Sequence, residues 1–140
     1  MKYKLAIFDL DGTLMDTSEG ILQAVSETIK TWRKPLPAEE ILRTFIGPPI
    51  QWSFKEHYGI TEKEALRMAA TFRDLYAKKY LLRAKPYEGI FELLKTLSDA
   101  GIRIAIATYK REDYALRLLR SFRFDSYADI IFGSDAEGKL

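Results

Sequence analysis

Leu5-Ala6-Ile7-Phe8-Asp9-Leu10-Asp11-Gly12-Thr13-Leu14 is the stretch on which the reading of the fold turns. Four apolar residues lead into two aspartates, two positions apart, and then a glycine. The apolar run is continuous rather than alternating, which predicts a short strand buried on both faces, as in a parallel sheet. The aspartates then stand where that strand emerges into a turn. Carboxylates beside apolar structure are costly unless a metal ion or hydrogen bonds compensate. The segment therefore points to a metal-assisted site.

Working outward, Ile21, Leu22, Val25, Ile29 and Trp32 follow helical spacing over Thr17 to about Arg33. Asp16, with Glu19 three residues on, resembles an N-terminal cap with its acidic partner. Pro35 and Pro37 end that helix. Further helices are predicted over Ala38 to Phe45, Gln51 to Tyr58, and from Thr61 on, where Ala65, Met68, Ala69, Phe72, Leu75, Tyr76 and Tyr80 form one stripe. Pro86 closes this helical block. A helix from Ile90 to about Asp99, a strand from Ile102 to Ala107, a helix from Arg111 to Phe122 and a strand at Ile130-Ile131-Phe132 follow. Strand, helix and strand in alternation argue for a parallel sheet with covering helices. The expected architecture is α/β: a Rossmann-like core of about three strands, residues 1–15 and 86–140, with an all-helical cap, residues 16–85, inserted after the first strand.

Composition sets the bounds. The chain has 140 residues, 47% of them hydrophobic and 30% charged, enough for a real core. A net charge of +2 is too small to argue for nucleic acid. There is no cysteine, which removes disulfides and thiolate chemistry and fits a cytoplasmic protein. Between Lys4 and Asp9 the apolar run is only four residues long, too short for a signal-peptide core or a membrane span.

Ligands of open parallel sheets bind beyond the carboxyl ends of the strands. There the chain delivers Asp9 and Asp11, then Thr108 and Lys110, then Ser134 and Asp135. The first two sets make a coherent phosphate site. One carboxylate would attack phosphorus, and a second would protonate the leaving oxygen and later activate water. A hydroxyl and a lysine would hold the other oxygens. Mg²⁺ is the natural cation to shield a carboxylate from an anionic phosphate. Gly12 would let the backbone turn tightly and present amides to the phosphate.

Phe8-Asp9-Leu10-Asp11-Gly12-Thr13-Leu14-Met15-Asp16-Thr17 resembles the first motif of the haloacid dehalogenase superfamily, in its phosphoglycolate phosphatase-like branch with a helical cap. Ile104-Ala105-Ile106-Ala107-Thr108 resembles the second motif. Gly47-Pro48-Pro49 and Ile131-Phe132-Gly133-Ser134-Asp135 are also similar to that branch, so the resemblance runs through the whole chain. It implies Asp9 as nucleophile and Mg²⁺ ligand, Asp11 as general acid and base with its carbonyl as a second ligand, and Thr108 as a phosphoryl contact. Asp11 also favours phosphate esters over halogenated substrates. The implied reaction is hydrolysis of a small phosphorylated metabolite, such as phosphoglycolate, a nucleoside monophosphate, pyrophosphate or a sugar phosphate. A sugar phosphomutase would use the same two aspartates.

The family pattern also has a third motif, a lysine, and a fourth, a Gly-Asp pair with a later acid. Neither follows Phe132; Lys139 is the one late lysine, and it comes earlier than the family's. The chain is therefore read as C-terminally truncated, with Leu5 to Phe8 as an exposed edge, self-association through that edge, and weak or absent turnover. The competing reading is a catalytically incompetent fragment, or a relative that binds phosphate or a protein. Arg43, Gly47 and Gln51 are candidate substrate contacts on the cap. Simpler roles stand beside these: Thr108 as a helix cap, Lys110 as a solvated charge, Asp16 as a cap, Asp135 as a turn residue, His57 at the surface, and Trp32 and Trp52 as cap core or interface.

Overall fold

The computed structural model describes residues 2–135. The chain divides into two compact units, one of residues up to 16 and from 84 onward, the other of residues 17–83.

The first unit is a three-stranded parallel sheet in the order β1 (Leu5–Phe8), β4 (Arg103–Arg111), β5 (Ile130–Ser134). Helix α5 (Ile90–Asp99) precedes β4, and α6 (Glu112–Ser121) crosses from β4 to β5. The register pairs Ala6 with Ile104 and Phe8 with Ile106, and Ile106 with Ile131. That face is covered: Ile104 and Ile106 share a buried cluster with Leu94, Ala115, Leu118, Leu119 and Phe124, and with Leu10, Leu14 and Met15 from the segment after β1. Fully burying one such side chain stabilises by roughly 1.5–3 kcal/mol.

The other face carries Leu5, Ile7, Ala105, Ala107, Ile130 and Phe132. Here the structure corrects the expectation of a strand buried on both faces: Leu5 is 47% and Ile7 66% exposed, and Ile130 and Phe132 are about half exposed. Both helices pack on the Ile104–Ile106 side, and a continuous apolar run reads the same whether one face is covered or two. Among the described residues β1 is also an edge strand.

A second, shorter pairing carries no signal in the sequence pattern. Met15–Asp16 (β2) pairs antiparallel with Lys85–Pro86 (β3), a ribbon two residues long. Asp16 thus lies in a strand instead of capping the next helix. Thr17 takes the N-cap position, without a side-chain cap bond.

The second unit is helical: α1 (Ser18–Thr31), α2 (Glu39–Arg43), α3 (Ile50–Tyr58) and α4 (Glu62–Leu75). Ile21, Ala24, Val25 and Ile29 of α1, Phe54 of α3 and Ala65, Met68 and Ala69 of α4 are buried. Thr61 caps α4 by accepting the Glu64 N–H at 3.2 Å. The predicted long helix does not stay α-helical; Tyr76–Tyr80 form a π-helical turn, with Leu81 N–H donating to the Tyr76 carbonyl at 2.7 Å. α1 lies directly on that turn, since a Cβ at Gly20 would sit 2.3 Å from the Tyr80 carbonyl oxygen. Across the same contact Tyr80 donates its hydroxyl proton to Glu27, which also accepts from Lys79 at 3.0 Å. Trp32 is half-buried and donates to Thr71 at 3.1 Å. Trp52 is 53% exposed, so it is not a core residue of this unit. His57 is exposed, edge-on to Phe45 and Tyr58. Among the described residues no helix is long and apolar enough to cross a membrane.

Candidate active site

The turn after β1 is built on one carbonyl. Leu10 is fully buried, and its oxygen accepts the N–H groups of Thr13, Leu14 and Met15 at 3.2, 3.0 and 3.2 Å. Gly12 has φ +78°, the left-handed conformation that glycine adopts without strain. Its N–H donates to the Met15 carbonyl at 2.8 Å. The expected amide cradle is corrected accordingly: Gly12 contributes the turn, while its own amide closes the loop on itself. Asp9, just before, is exposed, and its Oδ1 accepts the Leu10 N–H at 2.8 Å. That bond anchors one carboxylate oxygen at the strand end.

Parallel pairing of Phe8 with Ile106 brings the end of β4 to the same end of the sheet. Thr108 is 4% exposed, and its Oγ1 accepts the Lys110 N–H at 3.0 Å. It does not cap α6, whose N-cap position is Arg111. Lys110 is the largest departure from expectation. It is not a solvated charge: its side chain is 6% exposed, and Nζ lies 3.1 Å from Oδ1 of Asp11, itself 19% exposed. Lysines are almost never so enclosed unless paired. Nothing in the local sequence announces this, because the pairing joins residues 99 positions apart.

Neighbouring charges are settled elsewhere. Arg111 forms a two-point contact with Asp113 at 2.7 and 2.7 Å and stacks on Tyr114. The Arg111 guanidinium holds the Asp113 carboxyl below the usual carboxylate range. Ser134 is buried and pairs with Arg111 across the sheet, and Asp135 is exposed. Lys139 lies outside the described residues.

Among the described residues no three His, Cys, Asp or Glu side chains gather to hold a metal ion. The donors present are still of the right kind for Mg²⁺, which takes oxygen ligands and binds through one or two carboxylates plus waters and substrate phosphate. An exposed, hydrogen-bonded Asp9 carboxylate fits that demand.

The remaining candidates lie in the helical unit. Arg43 pairs with Glu39 at 2.9 Å, both well exposed. Gly47 has φ +109°. Gln51 accepts from Arg73 at 3.2 Å.

Comparison with known proteins agrees with the geometry. Residues 6–139 match the haloacid dehalogenase-like hydrolase family. A 5'-nucleotidase of Pseudomonas aeruginosa is 33% identical over 138 residues, 99% of this chain and 62% of the relative. Pyrophosphatase PpaX of Halalkalibacterium halodurans is 33% identical over 135 residues, 96% of this chain and 61% of the relative. The crystal structure of a predicted phosphatase from Clostridium acetobutylicum superimposes with a TM-score of 0.91 at 36% identity, covering 99% of this chain and 64% of that one. The chain thus spans less than two thirds of the length of these relatives. With its α/β fold, its Asp9-Leu10-Asp11-Gly12-Thr13 turn and this match, the chain belongs to the haloacid dehalogenase-like hydrolase family.

Proposed function

We propose that this chain carries the phosphoryl-transfer site of a phosphatase acting on small phosphomonoesters. The observation that carries the reading is the sheltered Lys110–Asp11 pair at the end of the sheet that also presents Asp9 and Thr108. An Oδ atom of Asp9 attacks phosphorus, and the bond from phosphorus to the ester oxygen breaks. Asp11 gives its proton to that departing oxygen. Asp11 then takes a proton from water, whose oxygen attacks the aspartyl-phosphate, releasing inorganic phosphate and restoring the Asp9 carboxylate. Thr108 and Lys110 hold the phosphoryl oxygens, and Gly12 sets the turn that carries Asp11. Mg²⁺, held by the Asp9 carboxylate and the Asp11 carbonyl, would supply charge to offset repulsion between carboxylate and phosphate.

The relatives' names, a 5'-nucleotidase and a pyrophosphatase, support nucleoside monophosphates and pyrophosphate as first substrates to try. Arg43, Gly47 and Gln51 are proposed to select among them. The exposed Leu5, Ile7, Ile130 and Phe132 and the position of β1 as an edge among the described residues support self-association, and the absence of cysteine fits a cytoplasmic setting.

Hydrolysis of p-nitrophenyl phosphate with and without Mg²⁺ tests the proposal. Mg²⁺-dependent release that disappears in Asp9→Asn is expected; release unaffected by that substitution rules out the nucleophile. A second reading, a phosphate-binding chain without turnover, is favoured by the lack of a third acid near Asp9 and Asp11 among the described residues. It predicts phosphate binding with no release from the ester.

A further inference from the structure

β4 and β5 run in step to Ala107↔Phe132 and return to step at Arg111↔Ser134. Between those pairs β4 takes four steps and β5 takes two. The surplus residues of β4 therefore rise from the ladder as a bulge at Thr108, Tyr109 and Lys110. The Thr108 Oγ1 bond to the Lys110 N–H, 3.0 Å, folds the bulge on itself. It rests on Gly133. A Cβ there would sit 2.8 Å from the Lys110 carbonyl oxygen, 2.6 Å from Glu112 Cα and 2.8 Å from Glu112 N. All three are backbone atoms, so no rotamer change relieves the clash. The backbone at Gly133 is not in the left-handed region, so the requirement is for space alone.

That space has a consequence at the site. The bulge carries Thr108, which is buried, and Lys110, whose Nζ reaches Asp11 at 3.1 Å. A side chain at 133 would lift the bulge, and a displacement of about 1 Å is enough to upset a site of this kind. We propose that Gly133 is a positioning residue of the phosphoryl site: the room it leaves seats the 108–110 bulge and so holds Lys110 on Asp11 and Thr108 in place for an anion. This rests on the phosphatase reading of Asp9 and Asp11.

The test is titration of the 140-residue chain with inorganic phosphate and Mg²⁺, followed by the amide NMR signals of Gly12, Thr108 and Lys110. Saturable shifts are expected for the wild type. Gly133→Ala should weaken phosphate binding tenfold or more while the remaining amide spectrum stays native-like. Lys110→Met should do the same. Phe132→Ala, on the exposed face one residue away, should leave binding within twofold. Equal binding by the wild type and a folded Gly133→Ala overturns this inference and leaves the phosphatase reading standing. No phosphate binding by the wild type overturns both. If Gly133→Ala does not fold, Lys110→Met decides: wild-type affinity in that variant overturns the claim that the bulge serves the site by delivering Lys110.

Discussion

Two lysine–carboxylate pairs have nearly the same length and different surroundings. Lys110 meets Asp11 at 3.1 Å with side chains 6% and 19% exposed; Lys79 meets Glu27 at 3.0 Å with side chains 55% and 32% exposed. Distance alone would rank them together. Burial separates them, because charges in water are screened and cost little to part, whereas sheltered charges lose hydration and depend on each other. The first pair ties the end of β4 to the turn two residues beyond the candidate nucleophile. The second clamps α1 to the π-helical turn, with Tyr80 as a third member.

The largest expected difference is chemical. Asp11→Asn should slow hydrolysis of an alkyl phosphate by about 10²–10⁴-fold, the range for a lost general acid. Glu27→Gln should leave the rate within about twofold, since Glu27 pairs with Lys79 and Tyr80 inside the helical unit and has no part in the proposed chemistry. Phosphate release measures both, and equal rates in the two variants would break the comparison.

Next comes stability. Lys110→Met leaves the Asp11 carboxylate without its cation in a largely dry place, and should lower the unfolding free energy by roughly 1–3 kcal/mol. Lys79→Met should leave the urea midpoint unchanged, as for most exposed pairs. Salt sharpens the contrast: at 1 M the screening length is about 3 Å. The Lys79–Glu27 coupling measured by a double-mutant cycle should then vanish, while the Lys110–Asp11 coupling persists.

The smallest effect is on pH dependence. The Tyr80 hydroxyl, and then Lys79, hold Glu27 below its ordinary carboxylate value. A depressed acid contributes stability above its unfolded pKa, about 4.3 for glutamate. That contribution is lost as pH falls through the lowered folded value. The Glu27 carboxylate in turn raises Tyr80 and Lys79, whose contribution is present below their ordinary values and lost as pH rises through the raised ones. The difference in Tm between wild type and Glu27→Gln should therefore narrow at both extremes of pH. A difference that is constant from pH 3 to 7 would contradict the assignment to Glu27.

Much of the fold is legible in the sequence. The α/β fold follows from strand, helix and strand after Pro86, and the tight turn after β1 from Asp11-Gly12. Both are local signals written over consecutive residues. What escaped is non-local. The bulge at 108–110 depends on room at Gly133, more than twenty residues on, so the sequence pattern ended β4 at Ala107 while the strand continues to Arg111. Enclosure of Lys110 depends on Asp11, at the other end of the chain. The ribbon of Met15–Asp16 with Lys85–Pro86 is too short to show a period of two. The π-helical turn at Tyr76–Tyr80 hides inside a stripe that α-helical spacing already explained. One-sided covering of β1 could not be told from two-sided burial by the run Leu5 to Phe8 alone.

The central claim is that Asp9 takes the phosphoryl group, and mass spectrometry of the chain quenched in acid during reaction with a phosphoryl donor and Mg²⁺ tests it most directly. The account predicts a phosphoryl adduct on the peptide containing Asp9, absent from Asp9→Asn and longer-lived in Asp11→Asn. An adduct on another residue, or one that survives in Asp9→Asn, would contradict it.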